Sequence, residues 1–186
     1  MNQKLNNIAF LSSGIYAKPD VDGDIYYVQA KHFNKDGEFD FSTSPDLRLD
    51  GKIEKHLLKI GDVLLVAKGN NNLAVSYKGR VKAVASSTFI VIRIKDQDQL
   101  LPEFLAWQLN HTQSQLYFKN KAKGSGIPAI SIGSIEDMDL FIPSIQKQLT
   151  ILNLTKLRIR EKQIRQQLTI LRDNYIQQQL LESIKK

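Results

Sequence analysis

The stretch GSGIPAISIGSIEDMDLFIPS, residues 124–144, separates two different kinds of sequence. Its glycines and first proline favour a tight loop. Four isoleucines in the stretch can help to close a hydrophobic core: Ile127, Ile130, Ile132 and Ile135. After Pro143 the sequence contains no further Gly or Pro up to Lys186. We therefore predict that a last buried strand or turn closes a domain here and that one long helix follows.

Residues 144–186 are predicted to form that helix. Ser144 is a suitable N-cap, although Lys147 stands where a capping box would have Glu or Gln. A seam of residues spaced alternately by three and four follows: Leu154, Leu157, Glu161, Ile164, Leu168, Leu171, Tyr175 and Gln178. This spacing is typical of a coiled coil. About 40 residues make a rod of roughly 60 Å, which its own small domain cannot cover, so the seam needs a partner helix.

Residues 1–143 are predicted to form one α+β domain. Five short runs are rich in β-branched and aromatic residues and are separated by Gly, Asn, Asp and Ser clusters: IYYVQA (25–30), DVLLVA (62–67), LAVSY (73–77), VKAVA (81–85) and TFIVIRI (88–94). Such runs indicate a mainly antiparallel sheet. One helix is also predicted, with Pro102 in its first turn and with Leu105, Leu109 and Leu116 on one face.

Composition limits the classes of function. The chain has no cysteine, which excludes disulfides, thiolate metal sites and cysteine nucleophiles and fits a reducing compartment. The amino terminus does not resemble a signal peptide, and no apolar stretch approaches the roughly 20 residues that cross a bilayer. We therefore expect a cytoplasmic protein. The net charge of +7 is concentrated in residues 146–186 and in residues 51–95, so a polyanion would meet a restricted face.

Several fragments resemble catalytic or metal-binding motifs but are incomplete. DVDGD (20–24) resembles the start of a calcium loop, yet no Gly follows it and Lys31 occupies the twelfth position. Pro45-Asp46 and Asp50-Gly51-Lys52 resemble a metal-dependent nuclease core compressed into eight residues. The three histidines lack the spacing of a zinc site or a triad: His32, His56 and His111. We predict no catalytic residues, no metal and no cofactor on this chain.

The loops around the sheet carry side chains suited to DNA recognition. Lys and Arg neutralise phosphates, Arg can also bind guanine edges, and Asn can bind adenine edges. The candidates are Tyr16, Lys18, Lys31, His32, Asn34, Lys68, Asn70, Asn71, Asn72, Tyr77, Lys78, Arg80 and Lys82. The alternative is that the asparagines form turns and that the lysines only keep the surface soluble.

These features occur in the order found in the specificity (S) subunits of Type I restriction–modification systems, which the chain resembles over nearly its whole length. The matching segments are LNNIAFLSSG (5–14), DIYYVQAKHFN (24–34), KIGDVLLVAKG (59–69), ASSTFIVIRIKD (85–96) with LLPEFLAWQLN (100–110), and GSGIPAISIGSIEDMDLFIPSIQKQLTI (124–151). The resemblance implies a DNA target-recognition domain over residues 1–143. It further implies a spacer helix over residues 144–186 that pairs with a second helix and docks methyltransferase subunits.

The resemblance also implies that S-adenosylmethionine is bound by the partner methyltransferase, that adenine is methylated, and that restriction subunits can join the complex. Members of this family typically carry two recognition domains and two helices, whereas this sequence has one of each. We therefore expect a half-length subunit or a fragment, from a Type I or a related Type II system. The leading hypothesis is a non-catalytic homodimer with two antiparallel helices. Dimerisation is assigned to Leu154, Leu157, Ile164, Leu168, Leu171 and Tyr175.

Two other functions remain as alternatives. The first is a decoy that binds methyltransferase or another S subunit through the helix without reading DNA. The second is a metal-dependent nuclease built on Asp46, Asp50 and Lys52. Salt-dependent, sequence-selective DNA binding distinguishes the reader from the decoy, and magnesium-dependent nicking distinguishes the nuclease.

Overall fold

The computed structural model describes the chain except for a small set of residues: Met1, Val21, Lys35, Asp36, Glu38, Phe41, Thr43, Asn70, Ser125, Lys185 and Lys186. The chain divides into two units, Met1–Gln148 and Leu149–Lys186. The strands are β1 (Asn2–Lys4), β2 (Ala9–Ser13), β3 (Tyr26–Val28), β4 (Val63–Val66), β5 (Ala74–Ser76), β6 (Ala83–Ala85), β7 (Phe89–Ile94) and β8 (Asp139–Phe141). The α-helices are α1 (Leu5–Ile8), α2 (Pro102–Asn110), α3 (Thr112–Lys121), α4 (Ile132–Ile135) and α5 (Ile145–Ile184). Two short 3-10 helices lie at Ala30–His32 and Glu54–His56.

The described strands form three sheets. The largest is fully antiparallel, in the order β2-β7-β4-β5. β1 pairs antiparallel with β8, so the two ends of the first unit meet, and β3 pairs parallel with β6. The predicted α+β fold with a mainly antiparallel sheet and a long C-terminal helix is therefore confirmed. All five predicted runs contain a strand, and β8 lies in the segment 124–144 for which a last buried strand or turn was predicted, while the parallel pair and the strands β1 and β2 were not predicted.

The core forms around β4, whose four residues Val63–Val66 are all buried. α2 packs against β4 and β5, and the Asn110 side chain extends this contact. Its Oδ1 accepts a hydrogen bond from Ala74 N at 2.8 Å, and its Nδ2 donates one to Ala74 O at 2.7 Å. Asn110 thereby satisfies both backbone groups of Ala74 on edge strand β5, as a neighbouring strand would.

The single helix predicted from Pro102 is in fact two helices. α2 ends at Asn110, and α3 starts at Thr112 after the extended residue His111, whose side chain accepts a hydrogen bond from Gln113 N. Leu105 and Leu109 are fully buried as predicted, but Leu116 on α3 is largely exposed. The prediction for Leu116 was wrong because the break at His111 gives α3 a new direction, so the face no longer continues.

Only some of the isoleucines in residues 124–144 lie in the core. Ile130 and Ile135 are buried, whereas Ile127 is 74% exposed. The predicted tight loop lies between Lys123 and Ala129, which exchange two backbone hydrogen bonds of 2.9 Å. α4 then begins with the Ser131 cap, and Leu140 of β8 is buried. The stretch closes the core through a short helix and a strand, and the prediction that Ile127 helps to close the core was wrong.

α5 begins at Ile145, directly after Ser144, as predicted. Its first turn contains a fully buried glutamine that the sequence did not single out, Gln148. The Gln148 Oε1 accepts a hydrogen bond from Leu101 N at 2.9 Å, and its Nε2 donates to Gln99 O at 2.7 Å and to Pro143 O at 2.9 Å. These bonds attach the first turn of α5 to the segment before α2. Within the described residues, no helix has the combination of length and apolarity needed to cross a membrane.

Candidate nucleic-acid interface

Candidate DNA-binding residues lie at both ends of the β4–β5 hairpin. The loop that joins the strands carries Lys68 and Asn71, which are both exposed. The segment 77–82, which we call the basic loop, follows β5 and lies at the other end. It carries Lys78, Arg80 and Lys82, all exposed. Because β4 has four residues, these two ends are separated by about 13 Å.

The basic loop borders a cleft of about 470 Å³, which we call the aromatic cleft. It is lined by the aromatic rings of Phe33, Phe39 and Tyr77 and by the cationic residues Lys78 and Arg80. Lys78 Nζ lies 2.9 Å from Glu103 Oε1 of α2, and both side chains are exposed. The cleft therefore combines apolar rings with cationic side chains, a combination that suits the sugar–phosphate backbone and base faces.

Tyr77 supports the basic loop from within. Its hydroxyl donates a hydrogen bond to Val81 O, at the far side of the loop. Burial raises the pKa of Tyr77, which keeps the hydroxyl protonated and able to donate. The Tyr77 side chain is thus already used within the fold.

A partly buried ion pair fixes the turn that adjoins the basic loop. Arg93 Nε and Nη2 donate to Asp62 Oδ1 and Oδ2 at 2.7 and 2.6 Å, and Asp62 is 1% exposed. Asp62 Oδ2 also accepts from Lys59 N at 2.8 Å, and Asp62 O accepts from Tyr77 N at 2.7 Å. The hydrogen bonds that Arg93 donates to the Asp62 carboxylate raise the pKa of Arg93. Sequence reasoning missed this pair. The signal was a charged residue in each of two apolar runs, Asp62 next to VLLV (63–66) and Arg93 within FIVIRI (89–94).

Two further candidates are buried. His32 packs its ring against Phe39 and accepts a hydrogen bond from Gln29 N at its Nδ1. Burial, and secondarily Lys31, lowers the pKa of His32. Asn72 donates from Nδ2 to Val66 O at 2.8 Å. Both side chains are therefore engaged in the fold, whereas Lys31 and Asn34 beside His32 are exposed. Asn70 lies outside the described residues.

Tyr16 and Lys18 line a second cleft of about 650 Å³, which we call the basic cleft. The segment 15–17 is held by Tyr27, whose hydroxyl donates to Ile15 O at 2.9 Å and accepts from Ala17 N at 3.2 Å. Sequence reasoning missed the other basic residues that line this cleft: Arg48, Lys52, Lys55 and His56. Their clustering was not visible in the sequence, because tertiary contacts bring residues 15–20 and 47–56 together.

The two clefts lie on opposite sides of the β3–β6 pair. Tyr26 and Val28 of β3 pack in the same hydrophobic cluster as Phe33, Phe39 and Tyr77 of the aromatic cleft. Ile25 and Tyr27 pack in the cluster that contains Ile15 and Ile53 of the basic cleft. Successive side chains of a strand point to opposite faces of its sheet. Most of the candidate residues are therefore distributed over three surfaces: the hairpin loop, the aromatic cleft and the basic cleft. Lys31, Asn34 and Lys82 are exposed but line neither cleft.

The carboxylates of the incomplete metal motifs organise backbone turns. Asp46 Oδ1 accepts from Tyr27 N at 2.9 Å, and Asp50 Oδ1 accepts from Lys52 N and Ile53 N, both at 2.8 Å. Asp20 and Asp22 each lie 3.6 Å from the Arg48 guanidinium. Among the described residues, no group of three or more His, Asp and Glu side chains could hold a metal ion.

The second unit presents the predicted seam to solvent. The six side chains assigned to dimerisation are 42–67% exposed: Leu154, Leu157, Ile164, Leu168, Leu171 and Tyr175. Further exposed apolar side chains lie off this seam, among them Ile159, Ile170 and Leu181. A row of large apolar residues at this exposure is typical of a surface that another chain covers.

An α+β domain followed by a long helix, with basic loops at the edges of the domain, is the arrangement expected of a DNA specificity protein. Residues 19–170 match the family model of the Type I restriction modification DNA specificity domain. Because this match covers most of the sequence and both units, the chain belongs to that family. No curated protein matches the sequence.

Solved structures show the same fold at low sequence identity. The Type I restriction–modification S subunit from M. genitalium is 14% identical, with a TM-score of 0.60 over 84% of this chain. The HsdS subunit from Thermoanaerobacter tengcongensis is 11% identical, with a TM-score of 0.56 over 87% of this chain. A chain from a structure on complex assembly and conformational transition of the type I R-M system is 14% identical, with a TM-score of 0.63 over 87%. This chain covers only 37–38% of the length of each of the three.

Proposed function

We propose that this protein is a non-catalytic DNA-sequence-specificity subunit that reads one half of a bipartite DNA target. The observation that carries the proposal is the continuous family match over residues 19–170, which includes both a recognition domain and most of a long helix. The protein acts in the cytoplasm, where it directs a partner methyltransferase. That partner supplies S-adenosylmethionine and the methyl-transfer chemistry.

The exposed candidate side chains are the proposed DNA contacts. They comprise the sequence-predicted residues Tyr16, Lys18, Lys31, Asn34, Lys68, Asn71, Lys78, Arg80 and Lys82, together with Arg48, Lys52 and Lys55 of the basic cleft. Lys and Arg bind phosphates and position the domain, while Asn71 and Arg80 can read base edges. The buried candidates His32 and Asn72 and the half-buried Tyr77 form hydrogen bonds within the fold, so their proposed role is to position these loops.

The exposed seam of α5 supports a homodimer in which two helices pack antiparallel. Two identical domains related by a two-fold axis then read a symmetric, interrupted target. The rod of roughly 60 Å exceeds one turn of B-DNA, about 34 Å, so each domain reaches a separate half-site. The paired helices also dock the methyltransferase subunits, and restriction subunits can join the same complex.

Single-molecule sequencing of methylated sites, in cells with and without the gene, tests the proposal. We expect adenine methylation at a symmetric sequence interrupted by unread base pairs, and we expect it to disappear when the gene is deleted. Sites that are asymmetric or ungapped would contradict the symmetric dimer. A purified complex with methyltransferase that shows no sequence-selective binding to DNA would instead favour the decoy, for which the exposed helix is the supporting observation.

A further inference from the structure

Three arginines recur every seven residues on α5, at Arg158, Arg165 and Arg172, and all three are exposed. With Leu154 as the first core position of the seam, they occupy every e position from 158 to 172. Arg158 and Arg165 line one shallow groove of about 490 Å³ together with Lys162. We call the three arginines the arginine flank.

Acidic side chains do not balance this flank. Glu161 Oε1 lies 2.7 Å from Arg165 Nη2, and both side chains are exposed, so the pair is largely screened by water. Arg158 and Arg172 form no ion pair with the described residues. The other flank of the seam carries mostly neutral residues: Asn153, Arg160, Gln167, Asn174 and Leu181. The positive charge next to the seam is therefore concentrated on one side.

Antiparallel self-pairing concentrates this charge further. In an antiparallel pair, Ile164 of one helix packs against Leu168 of the second copy. The e positions of one helix then face the e positions of the other. Arg165 then faces the same residue of the second copy, and Arg158 faces Arg172 of that copy. Like charges at facing flank positions oppose pairing and set the choice of partner. The paired helices thus place six guanidinium groups along about 21 Å, and this concentration of positive charge attracts an anion.

We propose that the arginine flank of the paired helices binds the sugar–phosphate backbone of duplex DNA. The inference rests on the proposed homodimer. Guanidinium groups bind phosphates in a bidentate manner, and about 21 Å corresponds to roughly six base pairs along a strand. Phosphate contacts carry no sequence information, so the flank suits base pairs that neither recognition domain reads. DNA binding and helix pairing then strengthen each other, because the phosphates neutralise the repulsion between the facing arginines.

The first test compares two double variants of the full chain on a 40-bp duplex of arbitrary sequence. R158Q with R165Q removes two flank charges, and K156Q with R160Q removes two charges outside the flank. Four lost phosphate contacts per dimer should reduce the slope of log K against log salt by about 3.6 for the flank variant. The control variant should change the slope by less than about 1. Circular dichroism and light scattering verify that both variants remain helical and paired.

Equal slopes for both variants would overturn the inference and leave the proposed specificity function intact. A different outcome is that R158Q/R165Q leaves the salt slope of DNA binding unchanged and abolishes binding of the methyltransferase. That result would overturn the inference and indicate that the arginine flank binds an acidic protein surface. A wild-type chain that neither pairs nor binds DNA would contradict both the inference and the proposed function.

The second test reverses one charge. R158E places a carboxylate opposite Arg172 of the second copy, twice per antiparallel dimer. We expect the dimer dissociation constant to fall several-fold at low salt while the affinity for DNA decreases. R160E, on the other flank, serves as the matched control and faces the neutral Asn174 of the second copy. A dimer that R158E weakens would overturn the assignment of the arginines to facing positions.

Discussion

At the scale of single residues, Asp62 and Arg93 support the basic loop. Asp62 is buried, and its carboxylate accepts hydrogen bonds from Arg93 and from Lys59 N, while its backbone oxygen accepts one from Tyr77 N. Arg93 is about one-third exposed, so it has retained part of its hydration. The ion pair therefore connects the turn before β4 with β7, and the Asp62 backbone oxygen connects the same turn with the first residue of the basic loop, so losing the ion pair should lower stability.

We predict that Asp62→Asn lowers the free energy of unfolding by about 2–3 kcal/mol, because it leaves a partly buried Arg93 without its counter-charge. Urea denaturation measures the change. Asp137→Asn is the matched control, since it removes the exposed partner of Lys4, and we expect a much smaller change there because water screens that pair. An equal effect of the two substitutions would contradict the structural role of Asp62.

His32 gives a pH-dependent prediction. Burial lowers its pKa in the folded chain, so between that value and about 6.5 the unfolded chain binds more protons. This residue therefore contributes stability that is present above about pH 6.5 and is lost as the pH falls through the folded pKa. We expect His32→Asn to flatten the stability curve below about pH 6.5, measured by urea denaturation. His56→Asn, at an exposed position, is the control for loss of a histidine, and an identical change in both would refute the role of burial.

At the scale of elements, α5 depends on different contacts at its start and along its length. Gln148 attaches the first turn through three hydrogen bonds to backbone groups of residues 99, 101 and 143. From Lys156 onward every described residue of α5 is exposed. An amphipathic helix in a protein gains most of its stability when its apolar face packs against another part of the protein or another chain. The pairing of α5 should therefore depend on the seam and not on its first turn.

We predict that Leu168→Asp combined with Leu171→Asp yields monomers. Two carboxylates in the centre of the paired seam would be desolvated without partners. Size-exclusion chromatography with light scattering measures the mass. Gln163→Asp with Gln166→Asp adds the same charge away from the seam and should leave the dimer intact. A double seam variant that keeps the dimer mass would show that another surface pairs the chains.

Gln148 gives a prediction that separates folding of the domain from pairing. Gln148→Leu leaves Leu101 N, Gln99 O and Pro143 O without their partner, which should cost about 2–4 kcal/mol in unfolding free energy. The dimer should persist under native conditions because the seam is unchanged. Gln163→Leu, at an exposed position of the same helix, is the control. Thermal denaturation with parallel mass measurement tests both statements.

At the scale of the whole molecule, the length of α5 in the proposed dimer determines the distance along DNA between the two half-sites. In this proposal the two recognition domains are separated by the paired helices, whose rise is about 1.5 Å per residue. The three candidate surfaces of one domain surround the β-sheets from several sides, so loops from more than one surface can contact one half-site. Half-site sequence then depends on the loops, and half-site spacing depends on α5.

We predict that duplicating residues 161–167 lengthens the unread spacer of the target by about three base pairs. One heptad keeps the seam in phase and adds about 10.5 Å, while DNA rises about 3.4 Å per base pair. Sequencing of methylated sites measures the spacing. The half-site sequences should stay the same, because the recognition domain is unchanged. An unchanged spacer with intact methylation would refute the measuring role of the helix.

The sequence by itself determined the features that depend on local periodicity. Apolar runs of four to six residues marked β4 and β7, and the alternating spacing of three and four marked the seam of α5. A suitable N-cap before an uninterrupted run of helix formers placed the start of α5. These features depend on residues that are close together in the sequence. A single sequence therefore contains the information needed to predict them.

Only the tertiary structure decided where polar side chains lie, because their partners are distant in sequence. Asp62 meets Arg93, Gln148 meets Gln99, and Asn110 meets Ala74 across separations that no local pattern records. The same long-range contacts bury His32 and Asn72, expose Leu116, and bring Arg48 and Lys52 beside Tyr16. Residue type shows which chemistry a side chain can perform, but the packing of distant segments determines whether it faces solvent or the core.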